Sequence, residues 1–256
     1  MNFGNPIGLL TLIQRELVRT FTIINQVIWP PIITTLLYVF VFGLALGSRI
    51  TAIHGVPYAS YLIPGLIMLQ VIDATYSECS SSFFQGRFMN SIQELLIAPL
   101  SALEIVTGYI VSALLRALVI AALVLAVGVI VVHAWPQDWG LFFVVIGLVA
   151  TLFGALGLIV GMLAEKFDHI AILTTFVITP LTFVGGVFTS IRFLPPALQH
   201  ATLLDPMFYM IDAFRHAFSG TGDEPLGLSL AIVAAMAAAA VAIALRMTYL
   251  GVKLRV

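Results

Sequence analysis

Long apolar stretches alternate with short polar ones along this chain, and six of the stretches are long enough to cross a bilayer as helix, which takes about 20 residues. They run over 27–46, 61–79, 105–132, 141–163, 170–188 and 226–245. The intervening polar pieces share the positive charge unevenly. Arg15, Arg19, Arg87, Lys166, Arg246, Lys253 and Arg255 fall on one side of the predicted membrane, and only Arg49, Arg192 and Arg215 on the other. Lys and Arg collect on the cytoplasmic side, so both termini are expected inside. Trp29, Tyr61, Trp135 and Trp139 lie near span ends, where amphipathic rings favour the headgroup layer. The pattern predicts an all-α membrane protein with one transmembrane domain over 1–256.

Two segments before the third span are amphipathic without being able to cross. Within 1–26, Leu10, Ile13, Leu17, Phe21 and Ile24 recur at three- and four-residue spacing, with Gln14, Arg15, Arg19 and Thr20 opposite. This predicts an interfacial helix on the inner surface, serving as an anchor or as a grip for a cytoplasmic partner. Over 85–99, Phe88, Ile92, Leu95 and Leu96 share one helical face, while Arg87, Asn90, Gln93 and Glu94 lie elsewhere. A helix from Gln85 to Pro99 is too polar to span and too apolar to hang free. It lies on the membrane or fits a groove on a partner protein.

The fifth span is interrupted. Pro180 and the pair Gly185–Gly186 break it before Phe188, and Leu194-Pro195-Pro196 and Asp205-Pro206 then start two short stretches with apolar sides, leading through Tyr209 to Arg215. Such prolines are helix-start signals. In lipid, broken backbone survives only where protein or a water-filled cavity covers it, so the working part of the molecule is expected here. Asp73 in the second span and Arg116 in the third sit at similar depth, and their cost in lipid makes a structural pair the preferred reading over a path-lining role. Asp212 and His216 stand four apart, too few ligands for a metal. Gly157 and Gly161, like Gly43 and Gly47, have the spacing of close helix packing. Cys79 has no second thiol and is read as inert.

Composition narrows the classes further. With 61% hydrophobic residues, 9% charged and a mean hydropathy of +1.12, a soluble domain is excluded. Eleven Lys and Arg against 12 Asp and Glu give no basic field, so nucleic acid is not the partner. The N-terminus has no small-residue cleavage site after a short apolar core and does not read as a removable signal. There is no Gly-x-x-x-x-Gly-Lys-Ser/Thr loop to cradle phosphates, so any ATP is hydrolysed on another subunit. No catalytic His-Glu-x-x-His, Gly-x-Ser-x-Gly or intramembrane Asp pair supports an enzyme. An ion- or proton-coupled secondary transporter, the alternative, is expected to show an acidic or His relay and a repeated half; neither is found.

The loop Glu94-Leu95-Leu96-Ile97-Ala98-Pro99, the span from Pro180 through Gly185, Gly186 and Phe188, and the later Pro195, Pro206, Tyr209 and Arg215 together resemble the ABC-2 type permease family, whose members are membrane subunits of bacterial ABC exporters. The resemblance covers essentially the whole chain. It implies a permease in the inner membrane that pairs as a homodimer and binds two copies of a cytosolic ATPase, which carries the ATP and Mg. No cofactor belongs to this chain. It further implies that 85–99 is the coupling helix, with Phe88, Leu95 and Leu96 as apolar anchors in the ATPase cleft and Arg87 and Glu94 on its rim. By the same resemblance 190–220 is an external re-entrant hairpin that helps to close the exit. The cargo is expected to be an amphipathic, lipid-linked or glycan-type compound moved outward.

Overall fold

Capping residues and prolines start most of the helices. In the computed structural model, which describes residues 4–44, 52–53, 55–89, 91 and 97–252, α1 (Pro6–Thr22) follows Asn5, whose side chain accepts from the Gly8 N–H, and has its proline at the first turn. A proline there forfeits only an N–H that has no helical partner. α2 (Ile24–Tyr38) contains Pro30 and Pro31 and passes into a π-helical stretch over Val39–Leu44. A two-residue hairpin, β1 (Ala52–Ile53) and β2 (Val56–Pro57), leads into α3 (Tyr58–Phe88). A Ser101–Glu104 capping box opens α4 (Ala102–Val132), and the Asp138 carboxylate opens α5 (Trp139–Leu163). α6 (Phe167–Leu173) continues through a π-helical stretch, Thr174–Ile178, into α7 (Thr179–Val184). Widened turns of this kind absorb the hydrogen bond that Pro180 cannot make. A 3-10 turn at Ile191–Phe193 and the short helices α8 (Pro196–Leu203) and α9 (Pro206–Ser219) precede α10 (Leu226–Leu250).

Among the described residues, five helical stretches are long and apolar enough to cross a membrane: Ile24–Gly43, Ala102–Val132, Trp139–Leu163, Phe167–Val184 and Leu226–Leu250. The expected second span is the exception. α3 is 31 residues long and carries Asp73, Glu78 and three consecutive serines, yet it packs between α4 and α5 with most of its length buried. Glu78, Ser80 and Ser82 there meet protein rather than lipid, while Asp73 is exposed. α10 lies against α5, and α9 fills the space among α3, α5 and α10 with Phe208, Met210, Ile211 and Phe214 buried. Large apolar side chains such as Ile130 and Phe176 face outward, the inverse of a soluble surface and what a lipid solvent requires.

Close approach of α5 to α3 depends on the predicted glycines. A Cβ on Gly157 would stand 2.6 Å from the Tyr76 carbonyl oxygen, and one on Gly161 would stand 2.9 Å from that of Ser80. The small-residue spacing is therefore helix packing; Gly47 lies outside the described residues. Two of the boundaries that differ from expectation bear on the predicted site. No new helix starts at Gln85, because nothing between Ser80 and Phe88 breaks α3, which runs on to Phe88. Likewise the fifth span stops at Val184 rather than 188, where the glycine pair turns the chain.

Candidate functional site

Two polar constellations stand out, one at each end of the bundle. The first joins α1 to α3 and α4. α1 is amphipathic as predicted, but its polar side faces the protein: Glu16 is 2% exposed, whereas Ile7, Leu10 and Phe21 are open to the surroundings. The Glu16 carboxylate takes Arg15 Nη2 at 2.9 Å, Arg19 Nε at 3.2 Å and the Ser82 hydroxyl. Arg19 also reaches Glu78 Oε1 at 2.5 Å, beside the Thr20 hydroxyl at 3.0 Å. Arg116 pairs with the other Glu78 oxygen, and Arg15 donates to Tyr109 Oη at 3.2 Å. Three arginines thus close on two carboxylates that are almost wholly shielded, a setting in which charges persist only when paired.

The expected partner of Arg116 is corrected by this arrangement. Its carboxylate is that of Glu78, not of Asp73. Asp73 lies five residues earlier on α3, exposed and within electrostatic range of Arg116, with no hydrogen bond or ion pair among the described residues. Depth alone, counted from the sequence, cannot say which way a helical residue points. Glu16, Glu78, Ser82 and Tyr109 were missed altogether. The available signals were Glu78 inside a predicted span and Glu16 flanked by Arg15 and Arg19.

At the same end of the bundle, Arg87 is turned inward. Its Nη1 donates to the carbonyls of Gly161, Met162 and Ala164 at 3.2, 2.6 and 3.1 Å, which satisfies and neutralises the C-terminus of α5. Gln85 precedes it in the last turns of α3, and Phe84, Phe88 and Phe167 cluster beside it, with 4.6 Å between the Phe84 and Phe167 centroids. Phe88 nonetheless stays 70% exposed, and Met89, Ile97 and Pro99 are exposed as well. Ile92, Glu94, Leu95 and Leu96 lie outside the described residues.

The second constellation surrounds the interrupted span. Gly186 turns the chain with φ +94°, a conformation open to glycine and costly for other residues. Arg215 of α9, only 3% exposed, donates through Nη2 to the carbonyls of Gly186 and Val187, and its guanidinium lies 4.0 Å over the Tyr61 ring. The Tyr58 hydroxyl donates to the Phe188 carbonyl at 3.0 Å. Tyr38, Phe42, Phe183 and Phe188 form an aromatic group with a 4.4 Å approach between Phe42 and Phe188. Pro195 and Pro206 start α8 and α9 as predicted, and the Tyr209 hydroxyl ties them by donating to the Leu203 carbonyl at 2.8 Å. Asp212 accepts from the Asp223 and Glu224 N–H groups and the Ser229 hydroxyl, while a His216 ring nitrogen lies 3.1 Å from the Glu224 carbonyl. These two side chains hold the loop into α10, and no group of three potential metal ligands occurs among the described residues.

Asp205 caps α9 through the Met207 N–H at 2.9 Å, but its second oxygen is buried without a partner among the described residues. Burial pushes its carboxyl up to about 6, against the smaller downward pull of that N–H. A carboxyl that is a weaker acid when folded favours the folded state below its unfolded pKa, and this contribution is lost as pH rises through about 6. Asp205→Asn keeps the cap acceptor and removes the charge. It should raise thermal stability at pH 7.5 by about 1 kcal/mol after allowance for solvent screening, with little effect at pH 4.5. An equal gain at both pH values would show that ionisation of Asp205 is not the cause.

A family model of ABC-2 type transporters matches residues 8–219, from the first turn of α1 to the end of α9. The chain is a member of the ABC-2 type transporter family. It is 39% identical to the inner membrane transport permease YadH of Escherichia coli (strain K12) over 227 residues, 89% of each chain. It is also similar to nodulation protein J of Rhizobium meliloti (strain 1021), 27% identical over 199 residues, 76% of this chain and 75% of that one. Nodulation protein J of Rhizobium leguminosarum bv. trifolii is 28% identical over 189 residues, 72% of this chain and 71% of that one. This ABC-2 chain is thus a transport permease subunit that spans the membrane several times; the first constellation lies wholly within the matched region, and of the second only Asp223, Glu224 and Ser229 fall beyond it.

Proposed function

We propose that this permease is the membrane half of an ATP-driven exporter in a bacterial inner membrane. Both termini face the cytoplasm, two copies of the chain pair with each other, and two copies of a separate ATPase subunit bind and hydrolyse ATP with Mg. The cargo is an amphipathic, lipid-linked or glycan-type compound moved outward. The observation that carries the coupling is the exposure of the apolar side chains Phe88 and Met89 at the end of α3 and of Ile97 further along, on either side in sequence of the stretch with Leu95 and Leu96. Exposed apolar side chains of this kind suit a groove on a soluble partner. Arg87 is not on that rim; it supports the platform by holding α5 beside it. An ion-coupled transporter is the weaker reading, because the shielded carboxylates Glu16 and Glu78 are both held by arginines rather than placed for proton exchange.

Co-purification tests the coupling. Phe88→Asp or Leu95→Asp sets an unpaired charge against an apolar groove and should cut recovery of the ATPase subunit about tenfold or more, with the permease still inserted and dimeric. Full ATPase recovery with both variants defeats the coupling assignment. Transport driven by a proton gradient without any ATPase defeats the exporter reading as a whole.

A further inference from the structure

A cleft of about 400 Å³ opens at the end of the bundle away from Arg87, between the first turn of α3, the last turn of α4 and the end of α9. Its walls include Ser60, Tyr61, His133, Trp135, Gln137 and Arg215. Three features there favour a negatively charged, acceptor-rich guest. First, α3 begins after Pro57 with no side chain capping its leading N–H groups, so the positive end of a 31-residue helix meets the cleft. Second, Arg215 is nine-tenths buried or more and brings a full positive charge to the wall, while its Nε and Nη1 have no hydrogen-bond partner among the described residues. Third, the Tyr61 hydroxyl on the same wall is also buried and unpartnered. Buried donors left unpaired are costly, and here they belong to residues of the same wall that an uncapped helix start borders, just beneath its surface.

The carboxylates near enough to act on Tyr61 are Asp212 and Asp223, and both are engaged elsewhere. Asp212 holds the loop before α10, and Asp223 accepts from the Ser190 hydroxyl and Ile191 N–H beside Arg192. Exposed Trp135 stands at the rim with Trp139 at 5.6 Å between centroids, a pair suited to the headgroup layer.

We propose that this cleft binds a phosphate group of headgroup size, with Arg215, Tyr61 and the α3 N-terminus as its donors and Trp135 and Gln137 at its rim. The phosphate belongs either to a lipid of the adjacent leaflet or to a soluble or cargo-borne phosphate ester. That the leaflet is the outer one rests on the orientation proposed above; the binding itself does not.

The test uses the purified full chain in detergent, with its melting temperature followed as phosphatidylglycerol or glycerol 3-phosphate is added and with diacylglycerol and glycerol as phosphate-free controls. A ligand that binds only the folded state raises the melting temperature saturably. Arg215 also holds Gly186, so its loss can damage folding; Gln137→Glu is the cleaner variant, since the side chain is exposed and the backbone N–H bond to Ala217 is kept. The added like charge should weaken phosphate binding about tenfold. A response to both phosphate compounds identifies a site for the phosphate ester itself, and a response to phosphatidylglycerol alone identifies the membrane lipid. No saturable response, equal stabilisation by diacylglycerol, or undiminished binding in Gln137→Glu overturns the proposal. Each of these results is independent of whether an ATPase is found.

Discussion

Glu78→Gln is expected to leave little folded permease. The substitution keeps the size and shape of the side chain and removes one charge, yet that charge is what Arg19 and Arg116 share. Stranding a shielded cation by removing its partner costs about 3–5 kcal/mol in folded interiors, a large part of the roughly 5–15 kcal/mol that holds a domain together. The loss should appear as aggregation on size exclusion and a collapse in yield. Glu78→Gln combined with Arg116→Gln should recover part of it, because the second change removes one of the stranded charges, and the shortfall from additivity measures the contact. Asp73→Asn, by contrast, should stay within about 0.5 kcal/mol of the parent, since Asp73 is exposed and bonded to none of the described residues. If Asp73→Asn proves the damaging change and Glu78→Gln the tolerated one, the pairing described here is wrong.

This difference between two acids in one helix shows where the sequence is readable. Helix positions were recoverable to within a few residues for α4, α5 and the start of α10, because lipid demands an unbroken apolar run whatever the helices do to one another. Helix starts at Pro196 and Pro206 were legible for an equally local reason, the fixed geometry of proline. Orientation around the helix axis was not. Leu10 and Phe21 were correctly placed on one face of α1, but whether that face meets lipid or protein depends on what α3 and α4 offer opposite. They offer Glu78, Arg116 and Tyr109, so the polar face turns in. Arg87 was misread for the same reason: its partners are three carbonyls of α5, 74 to 77 residues away in sequence. α3 also runs past its predicted end, since protein on both sides replaces the apolarity that a lipid-facing helix needs.

The glycine pair of the interrupted span separates packing from conformation more sharply than composition can. A Cβ on Gly185 would lie 2.9 Å from the Met207 Cβ and 3.0 Å from the Phe208 nitrogen, so Gly185→Leu must push α7 away from α9, whose side chains fill the core. That variant should misassemble. Gly186 differs: beyond the Thr189 oxygen at 3.1 Å, its Cβ would meet only Arg215 Nη1 at 3.7 Å, and the obstacle is its φ of +94°. Forcing another residue into that region costs about 1–3 kcal/mol, enough to move the turn that presents its carbonyl to Arg215 without dismantling the bundle. If the outer end of this interrupted span moves when the exit opens, Gly186→Leu should yield a dimer that binds its ATPase and hydrolyses ATP while export falls tenfold or more. Measuring hydrolysis and export on the same reconstituted complex decides it. A Gly186→Leu complex that exports at the parental rate, or one that fails to assemble as Gly185→Leu does, removes the gating role from this segment and leaves it a packing turn.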